Sequence, residues 1–251
     1  MPALSLIFLW ASCICAGHIV QAVTGFGAFA VALPILLLFL DAKLIVPILV
    51  GLNLLLCITV TCRTWDHIDW PLTRRILFLS LPGTPLGWLL FQYLPGAELK
   101  LFSGLLAVTF GLWNLWSLIR PSVILTLPRW IDYILLVFAG VSHGAYGTGG
   151  LVVSYYMTRH ITHKTTFQAT MSIIWALQNL MVCILYTIGG NWRTDMLPYF
   201  FIGVPIVAVS ICFGMWLHHK INARLFLILV FGIMIFSGGL LIFQTAPALL
   251  R

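Results

Sequence analysis

The residues of this chain that could do chemistry gather at two short glycine motifs. The first is Gly25-Phe26-Gly27-Ala28, and the second, Gly147-Thr148-Gly149-Gly150, lies 122 residues further on. Each interrupts an apolar stretch. A glycine break that leads into a helix leaves backbone N–H groups without intrahelical partners, at the positive end of the helix dipole. Such an end holds an anion without a buried Lys or Arg, and glycine lets the ligand come close to the backbone. Tight helix packing would explain either motif alone equally well. Two breaks at matched positions point to a substrate site built from broken helices.

Polar side chains flank both breaks: His18, Gln21 and Thr24 at the first, and Ser142, His143, Tyr146 and Thr148 at the second. Gln21 and His143 are equivalent under the same 122-residue offset. Hydroxyls, amides and imidazoles donate hydrogen bonds to oxyanions, and His143 could also carry a proton, or be no more than a satisfied buried donor. Asn53, Gln178 and Asn179 fall on the following apolar segments. Asn53 and Asn179 correspond loosely, 126 apart, and could line the site or bond between helices. The expected substrate-binding set is therefore Gln21, Thr24, Gly25, Gly27, Asn53, His143, Tyr146, Gly147, Thr148, Gly149 and Asn179.

Other chemistry is disfavoured. The six acids, Asp41, Asp66, Asp69, Glu98, Asp132 and Asp195, all sit near segment ends. Cation and proton carriers place carboxylates at membrane depth, and an intramembrane hydrolase needs an activated nucleophile or a metal set there. Cys13 and Cys15 face different directions on a helix. Arg159, His160, His163 and Lys164 lack a Cys or acid to complete a metal site. Neither a catalytic residue, a metal nor a cofactor is expected.

The elements that position the motifs are membrane spans. Of 251 residues, 61% are hydrophobic and 8% charged, and mean hydropathy is +1.08. A soluble domain carries far more charge. Apolar runs long enough to span a bilayer recur: Leu4–Leu40 with the first break inside it, then Leu44–Thr61, Ile76–Tyr93 and Leu101–Ile119. After a polar connector, Arg120–Arg129, come Ile131–Met157 with a break at Gly144–Gly150, then Phe167–Ile188, Leu197–Leu217 and Leu225–Phe243. The start, Met1–Leu9, lacks the basic residues of a secretory signal and reads as part of the fold. The net charge of +7 reads as topology signal in short loops, with no nucleic-acid partner; the Arg159–Lys164 loop could also attract anions.

Further landmarks repeat: Trp70 with Trp192, Leu101-Phe102 with Leu225-Phe226, Pro82 with Pro205. The expected fold is all-α and polytopic. Two inverted repeats, 1–122 and 123–251, form one membrane domain. Each is a glycine-broken helical hairpin followed by three transmembrane helices. Placing the Arg63–Arg75 and Arg120–Arg129 loops inside puts nine basic residues on the cytoplasmic side and four opposite, as the positive-inside rule requires. Each broken segment then leaves on the side it entered, and both termini lie outside.

At these motifs the chain resembles the TauE/SafE family, the sulfite exporter-like membrane permeases. The resemblance rests on Gln21-Ala22-Val23-Thr24-Gly25-Phe26-Gly27 with Pro34 beyond it, and on His143-Gly144-Ala145-Tyr146-Gly147-Thr148-Gly149-Gly150. Leu81-Pro82-Gly83-Thr84-Pro85-Leu86-Gly87 is similar to the family's small-residue-rich third span. It implies a multi-pass plasma-membrane carrier for a sulfur-containing anion such as sulfite or an organosulfonate. The expectation is a secondary transporter of a small anion working by alternating access. A passive anion channel, or a non-transport intramembrane enzyme or assembly factor, is the alternative. The partners expected are the anion and the lipid bilayer, with homo-oligomerisation left open.

Overall fold

A computed structural model describes residues 4–119, 128–218, 220 and 223–249. Every regular element among them is helical. The first half runs α1 (Leu4–Thr24), α2 (Ala28–Leu37), α3 (Ala42–Arg63), α4 (Trp70–Ser80), α5 (Gly83–Tyr93) and α6 (Gly96–Ile119). The second runs α7 (Arg129–Tyr146), α8 (Gly150–Thr158), α9 (Lys164–Ile188), α10 (Leu197–His218) and α11 (Ala223–Leu249). Six helices are long and apolar enough to cross a membrane, or seven when α4 and α5 count as one bent span.

Local chemistry sets the ends. The Asp41 carboxylate accepts the Lys43 N–H at 2.7 Å and starts α3, and Asp69 accepts the Leu72 N–H at 3.0 Å and starts α4. Such N-caps satisfy donors that a helix cannot satisfy itself. Two of the expected segments differ. Ile76–Tyr93 is not one straight span: α4 and α5 meet at 44° across Leu81-Pro82, where the proline ring has no N–H to continue the ladder. The second break is narrower than Gly144–Gly150. Gly144 is helical, and α7 continues to Tyr146 before Gly147 turns left-handed at φ +69°. The leading arm is thus 18 residues, about 27 Å at 1.5 Å per residue, longer than the stretch from Ile131 to the expected break at Gly144.

Gly144 serves packing instead. A Cβ there would lie 2.0 Å from the Thr84 carbonyl oxygen; at Gly140 it would lie 1.8 Å from that of Ser80, and at Gly87 1.9 Å from that of Val141. Small residues thus bring the backbones of α4–α5 and α7 together, as in membrane helix pairs.

The packing has a two-fold pattern. α3 lies on α9 and α6 on α11, while α1 lies on α10 as α7 lies on α5. Trp10 packs edge-on against Tyr199 across the α1–α10 contact, with ring centroids 5.5 Å apart. α3 and α9 are the most buried spans, so they hold the interior. The outside is apolar: Phe78 is 81% exposed and Phe243 79%, an exterior suited to lipid and not to water. Polar side chains turn inward, with His18, Gln21, Asn53, His143, Gln178 and Asn179 all buried.

Candidate functional site

The two breaks share one hydrogen-bond plan. In the first, the Gly25 N–H donates to the Gln21 carbonyl at 2.7 Å and closes α1, and the Val31 N–H donates to the Gly27 carbonyl at 3.0 Å and opens α2. In the second, Gly147 donates to His143 at 2.7 Å and Val153 to Gly149 at 3.2 Å. Each bond maps onto its counterpart by the 122-residue offset. Positive φ at Gly25 (87°), Gly27 (113°) and Gly147 (69°) explains the residue type, because a Cβ disfavours that region.

This plan corrects one detail of the expected site. The N–H groups of Gly25 and Gly147 cap the preceding helix, so they are not open to a ligand. The donors left over belong to the first turns that follow. The Ala28 N–H is taken by Gln21 Oε1 at 3.1 Å, and the next two, Phe29 and Ala30, precede the first bond of α2.

Those first turns meet at one small cavity of about 20 Å³, room for about one water. It is lined from the first half by Gln21, Phe26, Gly27, Phe29, Ala30 and Asn53, and from the second by His143, Gly147, Thr148, Gly150 and Trp175. No charged side chain lines it. Its polarity comes from two helix N-termini, one amide pair, the Thr148 hydroxyl and one imidazole, an anion-binding chemistry.

Around it, Gln21 Nε2 donates to Cys57 Sγ at 3.3 Å, and the thiol faces Asn53 Oδ1 at 3.9 Å. His143 Nε2 donates to Asn179 Oδ1 at 3.1 Å. The His143 ring stacks on Trp175, with centroids 5.0 Å apart and planes 11° apart. Trp175 in turn donates Nε1 to the Gly25 carbonyl at 3.1 Å, and Gln168 donates to the Ala22 carbonyl. These bonds tie α9 to the break of the other half. His143 Nδ1 and Asn179 Nδ2 are buried without a partner.

Of the expected residues, Gln21, Gly27, Asn53, His143, Gly147 and Thr148 meet at the cavity. The others stand back from it. Gly25 supplies its carbonyl to Trp175, Gly149 packs against Ala139, and Asn179 supports His143 from behind. Thr24 bonds the Val20 and Phe26 carbonyls and lines a neighbouring cavity. Tyr146 stacks on Phe102 at 5.6 Å, away from the breaks' meeting point. The loose pairing of Asn53 with Asn179 gives way to the strict offset. Asn179 occupies the place of Cys57, and Asn53 that of Trp175. Trp175, Phe29 and Cys57 were missed because each looks like core in an apolar span. Only the 122-residue offset from Asn53 and Asn179 pointed to Trp175 and Cys57.

This arrangement defines an integral membrane protein in which two interrupted helices present their N-termini to one buried polar point, the plan of a transporter. The chain belongs to the family described as sulfite exporter TauE/SafE, whose model matches residues 9–241. No match was found among curated proteins or solved structures.

Proposed function

We propose that this protein is a secondary transporter that moves a sulfur oxyanion, sulfite or an organosulfonate, across the plasma membrane by alternating access. The observation that carries the reading is the convergence of the α2 and α8 N-termini on one cavity, flanked by the equivalent residues Gln21 and His143. The anion head sits between the free N–H groups of the two first turns. Gln21, Asn53 and Thr148 supply side-chain donors, and Asn179 holds the His143 ring by its Nε2–H, so that Nδ1 donates to the anion only when the ring carries a second proton. Residues 1–122 and 123–251 act as inverted repeats of one membrane domain, with both termini outside. The two-fold helix pairing supports that plan, and rocking of one half against the other would open the site to each side in turn.

Radiolabelled sulfite flux in proteoliposomes tests the proposal, with and without a pH gradient. Saturable flux that shows counterflow, and is lost on altering Gly147, fits a carrier with its site at the breaks. Non-saturable flux fits a channel. No flux from folded, inserted protein removes sulfite as substrate.

A further inference from the structure

A second and larger cavity, about 410 Å³, lies beside the first, within the size range of small-molecule sites. It is bordered by the C-terminal ends of α1, α6 and α8, the first turn of α9 and the N-terminal half of α11. Phe26 lines both cavities and packs edge-on against Phe167, with centroids 6.5 Å apart.

Its lining has two unlike parts. At the α8–α9 connection Arg159 is held in place, donating to the Asp132 carboxylate and lying over the rings of Tyr155 and Tyr156 at 4.7 and 5.7 Å. Its Nε is buried without a partner. Lys164 donates to the His218 carbonyl and makes no ion pair with a carboxylate among the described residues. The Arg159, Lys164 and Asp132 charges leave one net positive charge around this connection. From α6 and α11, Leu118, Leu227 and Phe231 supply an apolar wall. A charged part beside an apolar wall selects an amphipathic ligand, because a bare inorganic ion would leave the wall unused.

We propose that this cavity is a second anion site, which takes an organic monoanion. Arg159, Lys164 and the Thr162 hydroxyl hold the head, and Leu118, Leu227 and Phe231 cover the body. Its position next to the central cavity, with Phe26 in the lining of both, favours a free solute over a lipid. The binding claim does not depend on transport.

Binding of radiolabelled hexane-1-sulfonate to the protein in phosphatidylcholine nanodiscs tests it. Saturable binding is expected, weakened at least tenfold in Arg159→Gln. The same loss is expected in Leu118→Trp, which fills the apolar half and leaves the Arg159–Asp132 pair intact. Excess sulfite should not displace the probe. Binding untouched by both substitutions, or displaced one-for-one by sulfite, overturns the second site. Displacement by phosphatidylglycerol added to the nanodiscs assigns the cavity to a lipid and overturns the solute reading. Absent sulfite flux with hexane-1-sulfonate binding intact removes sulfite as the transported ion and leaves this site standing.

Discussion

His143 Nε2 lies 3.1 Å from Asn179 Oδ1, and the same relationship, shifted by 122 residues, joins Gln21 Nε2 to Cys57 Sγ at 3.3 Å. In both halves a donor one turn before the glycine break is held by the following span. The chemistry differs while the geometry is kept, and this separates position from residue type. His143→Ala removes the donor and leaves Asn179 buried without a partner, a loss of about 1–3 kcal/mol. Sulfite flux should fall about tenfold or more, with insertion retained. His143→Gln restores the donor that the first half uses and should recover most of it. Equal loss in both variants would show that the imidazole itself is required.

Gly147 and Gly190 both have positive φ, 69° and 64°. A Cβ on Gly147 would meet the Phe29 ring at 2.4 Å, whereas one on Gly190 meets nothing within 4 Å. Each alanine substitution carries a backbone penalty of about 1–2 kcal/mol. Only Gly147→Ala also forces α2 and the second break apart. Flux assays should show near-complete loss in Gly147→Ala and near-normal rates in Gly190→Ala at matched protein levels.

Trp175 links the halves through its bond to the Gly25 carbonyl. Trp175→Phe keeps a ring for His143 to stack on and deletes the donor. Removing it exposes a buried carbonyl without its partner, a loss of about 1 kcal/mol. A lowered melting temperature in detergent and slower flux should appear together; an unchanged melting temperature would mean the bond contributes nothing to holding the break.

The glycines of the α4–α5 contact with α7 pack helices together outside the cavity lining. In Gly87→Ala the new methyl would meet the Val141 carbonyl oxygen at 1.9 Å. The helices must separate, at about 1–3 kcal/mol for an overpacked contact. Thermal unfolding should shift down clearly, while the protein that remains folded binds sulfite with unchanged affinity.

Topology can be read at Cys62, an exposed thiol in the last turn of α3 beside Arg63. With that end of α3 inside, a membrane-impermeant maleimide should label Cys62 in inverted vesicles and not in intact cells. The reverse pattern would turn the whole arrangement over.

Much of this site is legible along the chain. Glycine at 25, 27 and 147 announces backbone that a Cβ disfavours, and the 122-residue offset pairs Gln21 with His143. Gly144 was less readable, because a glycine in a break and a glycine at a helix contact look alike until the neighbouring helix is in place. The bend at Leu81-Pro82 shows the same limit. Pro205 stands at the corresponding place within an unbroken α10, so proline alone did not determine where a span breaks.

The sequence by itself determined the membrane setting, most of the helical elements and, to within a few residues, the location of both breaks. These follow from local properties: apolar run length, glycine's freedom at positive φ, and the placement of Lys and Arg. Tertiary structure alone decided which donors remain free, that Trp175 and Phe29 enclose the cavity, and that Cys57 accepts from Gln21. Those outcomes depend on how helices distant in the chain pack, since a hydrogen bond forms only where packing brings its two partners within reach. Trp175 and Gly25 meet across 150 residues.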